Sequence, residues 1–252
     1  MALFATRKKR GEGVFMPEPT KQIPLENHLL ADMQRHEYER MRPNLELVRL
    51  AEGQVLTEVG DTVNHTYFIT SGMISLISIT EEGQTIQVAM VGREGVVGIP
   101  GILRSQKTVF RAKVQIAGVA WRIRSGALRA EVKHCSSLHE ALSCYTHTLV
   151  TQIAQSVICN HFHPIEQRFA RWLLIAHDSA ESDEFGLTHE DIGQMLGVSR
   201  SGVSGAAGTL QKAGLISYTR GHLVILDRKK LEGVACECYR VISEELHSFL
   251  GV

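Results

Sequence analysis

The sequence predicts an α+β chain whose strands and helices occupy separate stretches. Three observations carry that reading. Between about residues 45 and 124 apolar and polar residues alternate, and from about 125 to 160 apolar residues recur at helical spacing. Beyond Pro164, two short helical patterns flank a glycine turn.

In TIQVAM, Ile86, Val88 and Met90 alternate with Thr85, Gln87 and Ala89. In FRAKVQI, Phe110, Ala112, Val114 and Ile116 alternate with Arg111, Lys113 and Gln115. A period of two marks antiparallel strands buried on one face. Turn residues recur at Gly53, Gly60-Asp61, Ser71-Gly72, Glu82-Gly83 and Ala117-Gly118, so the strands are short and a sandwich, barrel or jelly roll is expected.

The helical stretch opens with Ser137, three residues before Glu140, the spacing of a capping box. Leu138, Leu142, Tyr145, Leu149, Ile153 and Val157 then form one apolar stripe to about Asn160. That stripe can pack on the sheet or on its copy in a second chain; Leu142 and Leu149 are the residues on which a dimer seam would rest. Pro164 ends the helix and marks a domain boundary. In IEQRFARWLLIAHD, Ile165, Phe169, Trp172, Leu173 and Ala176 share one side of a further helix, and the acidic ESDEFG that follows reads as a loop.

The segment LTHEDIGQMLGVSRSGVSGAAGTLQKAGLI carries the most chemistry. Thr188 and Asp191 have capping-box spacing, and Ile192, Met195 and Leu196 form an apolar face. Gly197 suits a left-handed helix end. Ser199 caps a second helix, whose buried stripe is Val203, Ala206, Ala207 and Leu210. Gly214 ends it, and LISYTRGHLVIL reads as a two-stranded wing turning at Arg220-Gly221-His222. In a helix-turn-helix the start of the second helix enters the major groove. That places Arg200, Ser201 and Ser204 at base edges, with Arg200 presenting a fork that matches guanine. Thr188, His189 and Ser199 stand at the helix starts, where backbone N–H groups hold phosphate. Arg220 and His222 belong to the wing. Gly202, Gly205 and Gly208 either let the helix come close to DNA or pack it within its own domain.

Composition limits the alternatives. Lys+Arg equals Asp+Glu at 27 each, so any nucleic-acid-binding charge is local. No run reaches the roughly 18 apolar residues of a membrane span. The start, MALFATRKKRGEGVFMPEP, has no apolar core followed by a cleavage site, so a cytoplasmic protein is expected. Its basic run, Arg7 to Arg10, reads as a solvated tail. The five cysteines, Cys135, Cys144, Cys159, Cys236 and Cys238, are odd in number and irregularly spaced, which fits reduced thiols. Cys236 and Cys238 read as packing in a C-terminal helix. Cys159, His161 and His163 lie together near a helix end, but their spacing suggests no fourth ligand, and no metal ligand is assigned.

The helix-turn-helix segment resembles that of the Crp–Fnr family almost position by position, and LTEVGD and TYFITSG resemble the family's β-roll turns. The resemblance runs from about residue 30 to 230. It implies a loosely ordered segment 1–27, a cyclic-nucleotide-binding-like β-roll sensor (jelly roll) at 28–134, a dimerisation helix at 135–163, and a winged helix-turn-helix with a C-terminal helix at 164–252. It also implies a homodimeric transcription regulator whose partners are double-stranded DNA, RNA polymerase and a small-molecule effector. The family's effector loop falls on Gly92, Arg93, Glu94 and Gly95, with Arg111 as the nearby cation. Glu94-Gly95 reverses the family order, however, and Phe110 stands where the phosphate-binding arginine belongs, which argues against cyclic AMP. With no cysteine before Cys135, an N-terminal iron–sulfur cluster lacks ligands. Haem stays open, since none of 12 histidines singles itself out.

Two other functions compete. Glu181, Asp183, Glu184, Glu190 and Asp191 surround Arg200 in sequence, which fits a signal-binding module acting through protein partners with a degenerate DNA surface. GVSGA at 202–206 imitates a nucleophile elbow, but that motif needs a strand before it and a helix after it, and no histidine–carboxylate pair can be placed. An enzyme is therefore not expected.

Overall fold

The computed structural model describes residues 27–250 except 104 and 181. The expected tail, with Arg7 to Arg10, lies outside the described residues.

Two short helices, α1 (His28–Ala31) and α2 (Arg35–Met41), lead into the sheet. Asn27 is fully buried. Its Nδ2 donates to the carbonyls of Ile69, Gly95 and Arg93, and its Oδ1 caps α1 by accepting from Leu30 N. The strands are β1 (Glu46–Leu50), β2 (Val55–Thr57), β3 (His65–Ile79), β4 (Thr85–Val91), β5 (Val96–Val97) and β6 (Arg111–Arg124), with the short helix α3 (Ile99–Ile102) between β5 and β6. They form one antiparallel sheet in the order β1-β6-β3-β4, with β2 on β6 and β5 on β3. The α+β fold class holds.

Not every expected turn is one. Gly72 and Gly118 lie inside the 15-residue β3 and 14-residue β6, where the pairing register slips between Ile69 and Ile74. A Cβ on Gly118 would lie 2.0 Å from the Ser71 carbonyl oxygen. At Gly72 (φ 82°) it would lie 2.6 Å from that of Ile116. The two backbones touch there, so long strands kink without ending.

The alternation expected for β4 also shifts. Ala89 and Val91 enter the sheet's core beside Phe68, Ile74 and Val114, while Met90 joins Met73 in the core of the C-terminal half. A bulge opposite Leu76–Ile77 exchanges the faces. Gln87, expected on the wet side, is buried and accepts from Trp172 Nε1 at 2.8 Å, because the C-terminal half covers that face.

Helix α4 (Ser125–Val132) precedes the 27-residue α5 (Ser136–Phe162). The Ser137–Glu140 capping box does not form. The N-cap is Cys135, with no side-chain capping bond, and the Ser137 hydroxyl donates to the buried Glu37 carboxylate of α2. Leu138, Leu142 and Tyr145 are buried in the chain's own sheet core, with Leu149 and Ile153 packed against it. That stripe is therefore spent within the chain as far as Ile153, whereas Val157, expected to continue it, is exposed.

After Pro164 come α6 (Ile165–Ala180), β7 (Glu184–Gly186), α7 (His189–Leu196), α8 (Arg200–Lys212), β8 (Ile216–Thr219), β9 (His222–Ile225), α9 (Arg228–Val234) and α10 (Glu237–Leu250). The acidic stretch expected as a loop supplies β7, which pairs with β9 and widens the wing to three strands, β7-β9-β8. Helix α10 turns back onto α5, where Phe249 meets the Tyr145 ring at 6.2 Å.

Candidate nucleic-acid interface and interdomain cavity

The helix-turn-helix forms as its spacing predicts. Thr188 Oγ1 accepts from Asp191 N at 3.1 Å while the Asp191 carboxylate accepts from Thr188 N at 3.0 Å, a complete capping box. Gly197 takes φ 64° and closes α7. Ser199 caps α8 by accepting from Gly202 N and also pairs with Ser201 at 2.9 Å. Val203, Ala206, Ala207 and Leu210 turn inward against α6 and α7, as expected.

The opposite side of α8 faces solvent. Arg200, Ser201, Ser204, Gly205, Thr209 and Lys212 are exposed in succession. Thr209 and Lys212 were not singled out from sequence, although they continue the face of Ser201 and Gly205 at helical spacing. The Arg200 side chain is 73% exposed and meets Glu190 at 3.4 Å. His189 Nδ1 approaches Ser204 Oγ at 3.2 Å, and its ring lies 5.0 Å from that of Tyr218. Ser204 Oγ donates to the Arg200 carbonyl, as a hydroxyl inside a helix does. It does not stand on a strand-to-helix turn.

In the wing, Arg220 and Gly221 both take positive φ, 52° and 82°. This two-residue turn leaves His222 as the first residue of β9, pairing with Glu184 at 3.3 Å. Positive φ in a non-glycine residue costs about 1 kcal/mol or more, and here it holds an exposed arginine at the wing tip. Of the acidic residues near Arg200 in sequence, Glu190 stays beside it, while Glu184 pairs with His222, Asp183 with His177, and Asp191 closes the capping box; Glu181 lies outside the described residues.

The effector-loop residues divide. Arg93 and Glu94 line a cavity of about 590 Å³ between the sheet, α5, α6 and α10, together with Tyr145, His177, Asp178 and Tyr239. Its size suits a small molecule. Glu94 keeps some surface toward the cavity, yet burial raises its pKa, against the opposing pull of the Gly92 N–H that its carboxylate accepts at 2.7 Å. Burial likewise raises the Tyr145 hydroxyl, and Glu94 adds to the rise. Gly95 is needed where it stands, since a Cβ there would lie 2.4 Å from the Tyr145 ring. Arg111 is elsewhere, on β6, bound to Glu58 at 2.9 Å. No sequence spacing announces the cavity, because its wall comes from both halves of the chain.

A third grouping was not foreseen. The fold brings Cys159, His163, Cys236 and Cys238 together, their ligand atoms all within 4.8 Å of one another, while His161 is exposed.

The family profile for the cyclic nucleotide-binding domain matches residues 47–135, and that for the Crp-like helix-turn-helix domain matches 167–234. The anaerobic regulatory protein of Haemophilus influenzae is 26% identical over 194 residues, covering 71% of this chain and 72% of that protein. A Crp/Fnr-family regulator from Eubacterium rectale shares the fold at TM-score 0.64 and 20% identity, over 82% of this chain and 96% of its own. FixK2 from Bradyrhizobium japonicum does so at TM-score 0.64 and 16% identity, over 76% and 98%. Among the described residues no helix is long and apolar enough to cross a membrane. A sheet domain of the cyclic-nucleotide-binding type, a long central helix and a helix-turn-helix matched by its own profile place the chain in the Crp–Fnr family of transcription regulators.

Proposed function

We propose that the chain acts as a homodimer that reads specific DNA sites through α8 and the wing, under control of a small molecule held in the interdomain cavity. The observation that carries this reading is the solvent-facing side of α8, polar or glycine throughout and opposite a fully buried apolar stripe. Arg200 is the direct reader, a bidentate donor to guanine O6 and N7. Ser201, Ser204 and Thr209 add hydroxyl contacts, and Ser199 with the first N–H groups of α8 holds a phosphate. Thr188 and His189 flank that phosphate from α7. Arg220 and His222 contact phosphates from the wing. RNA polymerase is the further protein partner that activation would require.

Pairing of chains is supported by the outer face of α5, where Ser143, His147, Val150, Ala154, Val157 and His161 repeat at intervals of four and three. Val150, Val157 and nearby Phe162 are 57%, 67% and 72% exposed. Such a heptad seam lets two helices supercoil. A dimer would present its recognition helices to half-sites about 10–10.5 base pairs apart.

Selection from a randomised operator library tests the reading. Arg200→Ala is expected to cost about 1–3 kcal/mol on the specific site and to relax one base position per half-site. Arg220→Ala is expected to weaken binding to all sequences alike and to lower the salt slope by about one unit per half-site. An unchanged base preference in Arg200→Ala removes its role as reader. No enrichment by the wild type favours action through protein partners instead.

A further inference from the structure

We infer that Cys159, Cys236, Cys238 and His163 form a binding site for one thiophilic divalent cation, zinc by preference, at the joint between the long helix and the C-terminal domain.

The four residues come from two places far apart in sequence. Cys159 and His163 lie at the last turn of α5 and its exit, and Cys236 and Cys238 span the joint between α9 and α10. The three cysteines are nearly inaccessible, at 0%, 5% and 0%, and form a cluster of their own apart from both apolar cores. Cys159 Sγ lies 3.5 Å from Cys236 Sγ, and Cys238 Sγ lies 3.6 Å from His163 Nδ1. Zinc–sulfur bonds of about 2.3 Å and zinc–nitrogen bonds of about 2.0–2.1 Å put the ligand atoms of a tetrahedral ion about 3.6–3.8 Å apart. These two separations match edges of such a tetrahedron, and all four ligand atoms lie within 4.8 Å of one another. A multi-iron cluster spreads its thiolates over different irons, whereas four ligand atoms within 4.8 Å converge on one ion.

The surroundings fit the same ion. His163 Nε2 meets the Glu237 carboxylate at 3.2 Å, so the ring turns its other nitrogen to the cysteines, as carboxylate-supported histidine ligands do. Three thiolates and a neutral histidine around a divalent ion carry one net negative charge. Arg171 of α6 is 7% exposed, its charge lies close enough to favour the thiolate forms, and its Nε–H has no acceptor among the described residues. Without an ion, hydrogen bonding from Cys159 holds the Cys236 thiol low, while that shared bond and burial push Cys159 up and burial pushes Cys238 up. Packing alone gives no reason for three thiols, an oriented imidazole and a buried guanidinium to meet.

The full-length protein, purified under reducing conditions, is stripped with a chelator and titrated with cobalt(II), and the untreated protein is assayed for metal by mass spectrometry. The expected result is one ion per chain, with tetrahedral ligand-field bands and thiolate-to-cobalt charge transfer. Cys159→Ser, Cys236→Ser and Cys238→Ser are each expected to remove the charge-transfer band or reduce it, while Cys144→Ser, an exposed thiol, leaves it intact. Glu237→Gln, which keeps all four ligands, is expected to weaken binding about 10- to 100-fold. A wild-type protein without charge transfer, iron with acid-labile sulfide, or a Cys159–Cys236 disulfide as the resting form would each overturn the site. If the serine variants do not fold, the wild-type spectrum and stoichiometry decide alone.

Discussion

A methyl group added at Gly205 or Gly208 would meet nothing within 4 Å, and one at Gly202 would meet the flexible end of Ile165 at 3.3 Å, with Ser199 and Val198 at 3.7 Å. Tight packing inside the domain therefore does not account for the first two. Each costs α8 roughly 1 kcal/mol relative to alanine, and the exposed one, Gly205, faces the side assigned to DNA. Gly205→Ala is expected to raise the melting temperature by about 2–4 °C while weakening specific DNA binding, as read by thermal unfolding and gel shift. Stabilisation with unchanged binding would leave the glycine without a role at the groove. Much at this scale was legible in the sequence, because capping is local: Thr188, Asp191, Gly197 and Ser199 lie within a few residues of the groups they satisfy. The cysteine site was not, because 77 residues separate Cys159 from Cys236 and no spacing rule spans that distance.

Helix α5 carries two apolar stripes, and sequence alone could not say which one faces inward. Leu138, Leu142 and Tyr145 lie against the sheet, while Val150 and Val157 lie outside. Val157, counted with the inner stripe from sequence, belongs to the outer face, so the proposed seam rests on Val150 and Val157 rather than on Leu142 and Leu149. Val150→Glu with Val157→Glu is expected to give folded monomers that lose specific DNA binding, measured by light scattering and circular dichroism. Leu142→Glu is expected instead to unfold the sensor, since it puts a charge into a buried site. A folded dimer with both valines replaced would move the seam off this face. Strands β3 and β6 teach a similar lesson. The glycines that looked like turns are crossing points, because contact between two backbones leaves the same residue signature as a tight turn.

Across the whole molecule, the two halves share more than a linker. Met73 and Met90 of the sheet belong to the core around Phe169, Leu173 and Ile192. Gly197 touches Ile86 of the β3–β4 hairpin, which with Ser199 and Arg200 walls a cleft of about 610 Å³. Helix α10 closes the circuit by returning to α5. The cavity is thus walled by the sheet, the long helix and the C-terminal half at once.

The buried contact between Trp172 and Gln87 has an optical consequence. The chain holds two tryptophans, and Trp121 packs within the sensor, away from the joint. In a Trp121→Phe background the remaining indole reports whether the halves stay docked. Separation would wet its ring and exchange a fixed amide for mobile water, so its emission is expected to move to the red and its quenching by iodide to rise. Adding operator DNA to that single-tryptophan protein would show by colour whether reading DNA requires the halves to part. An emission spectrum unchanged between free and DNA-bound protein would mean that the docked arrangement is itself the DNA-binding one.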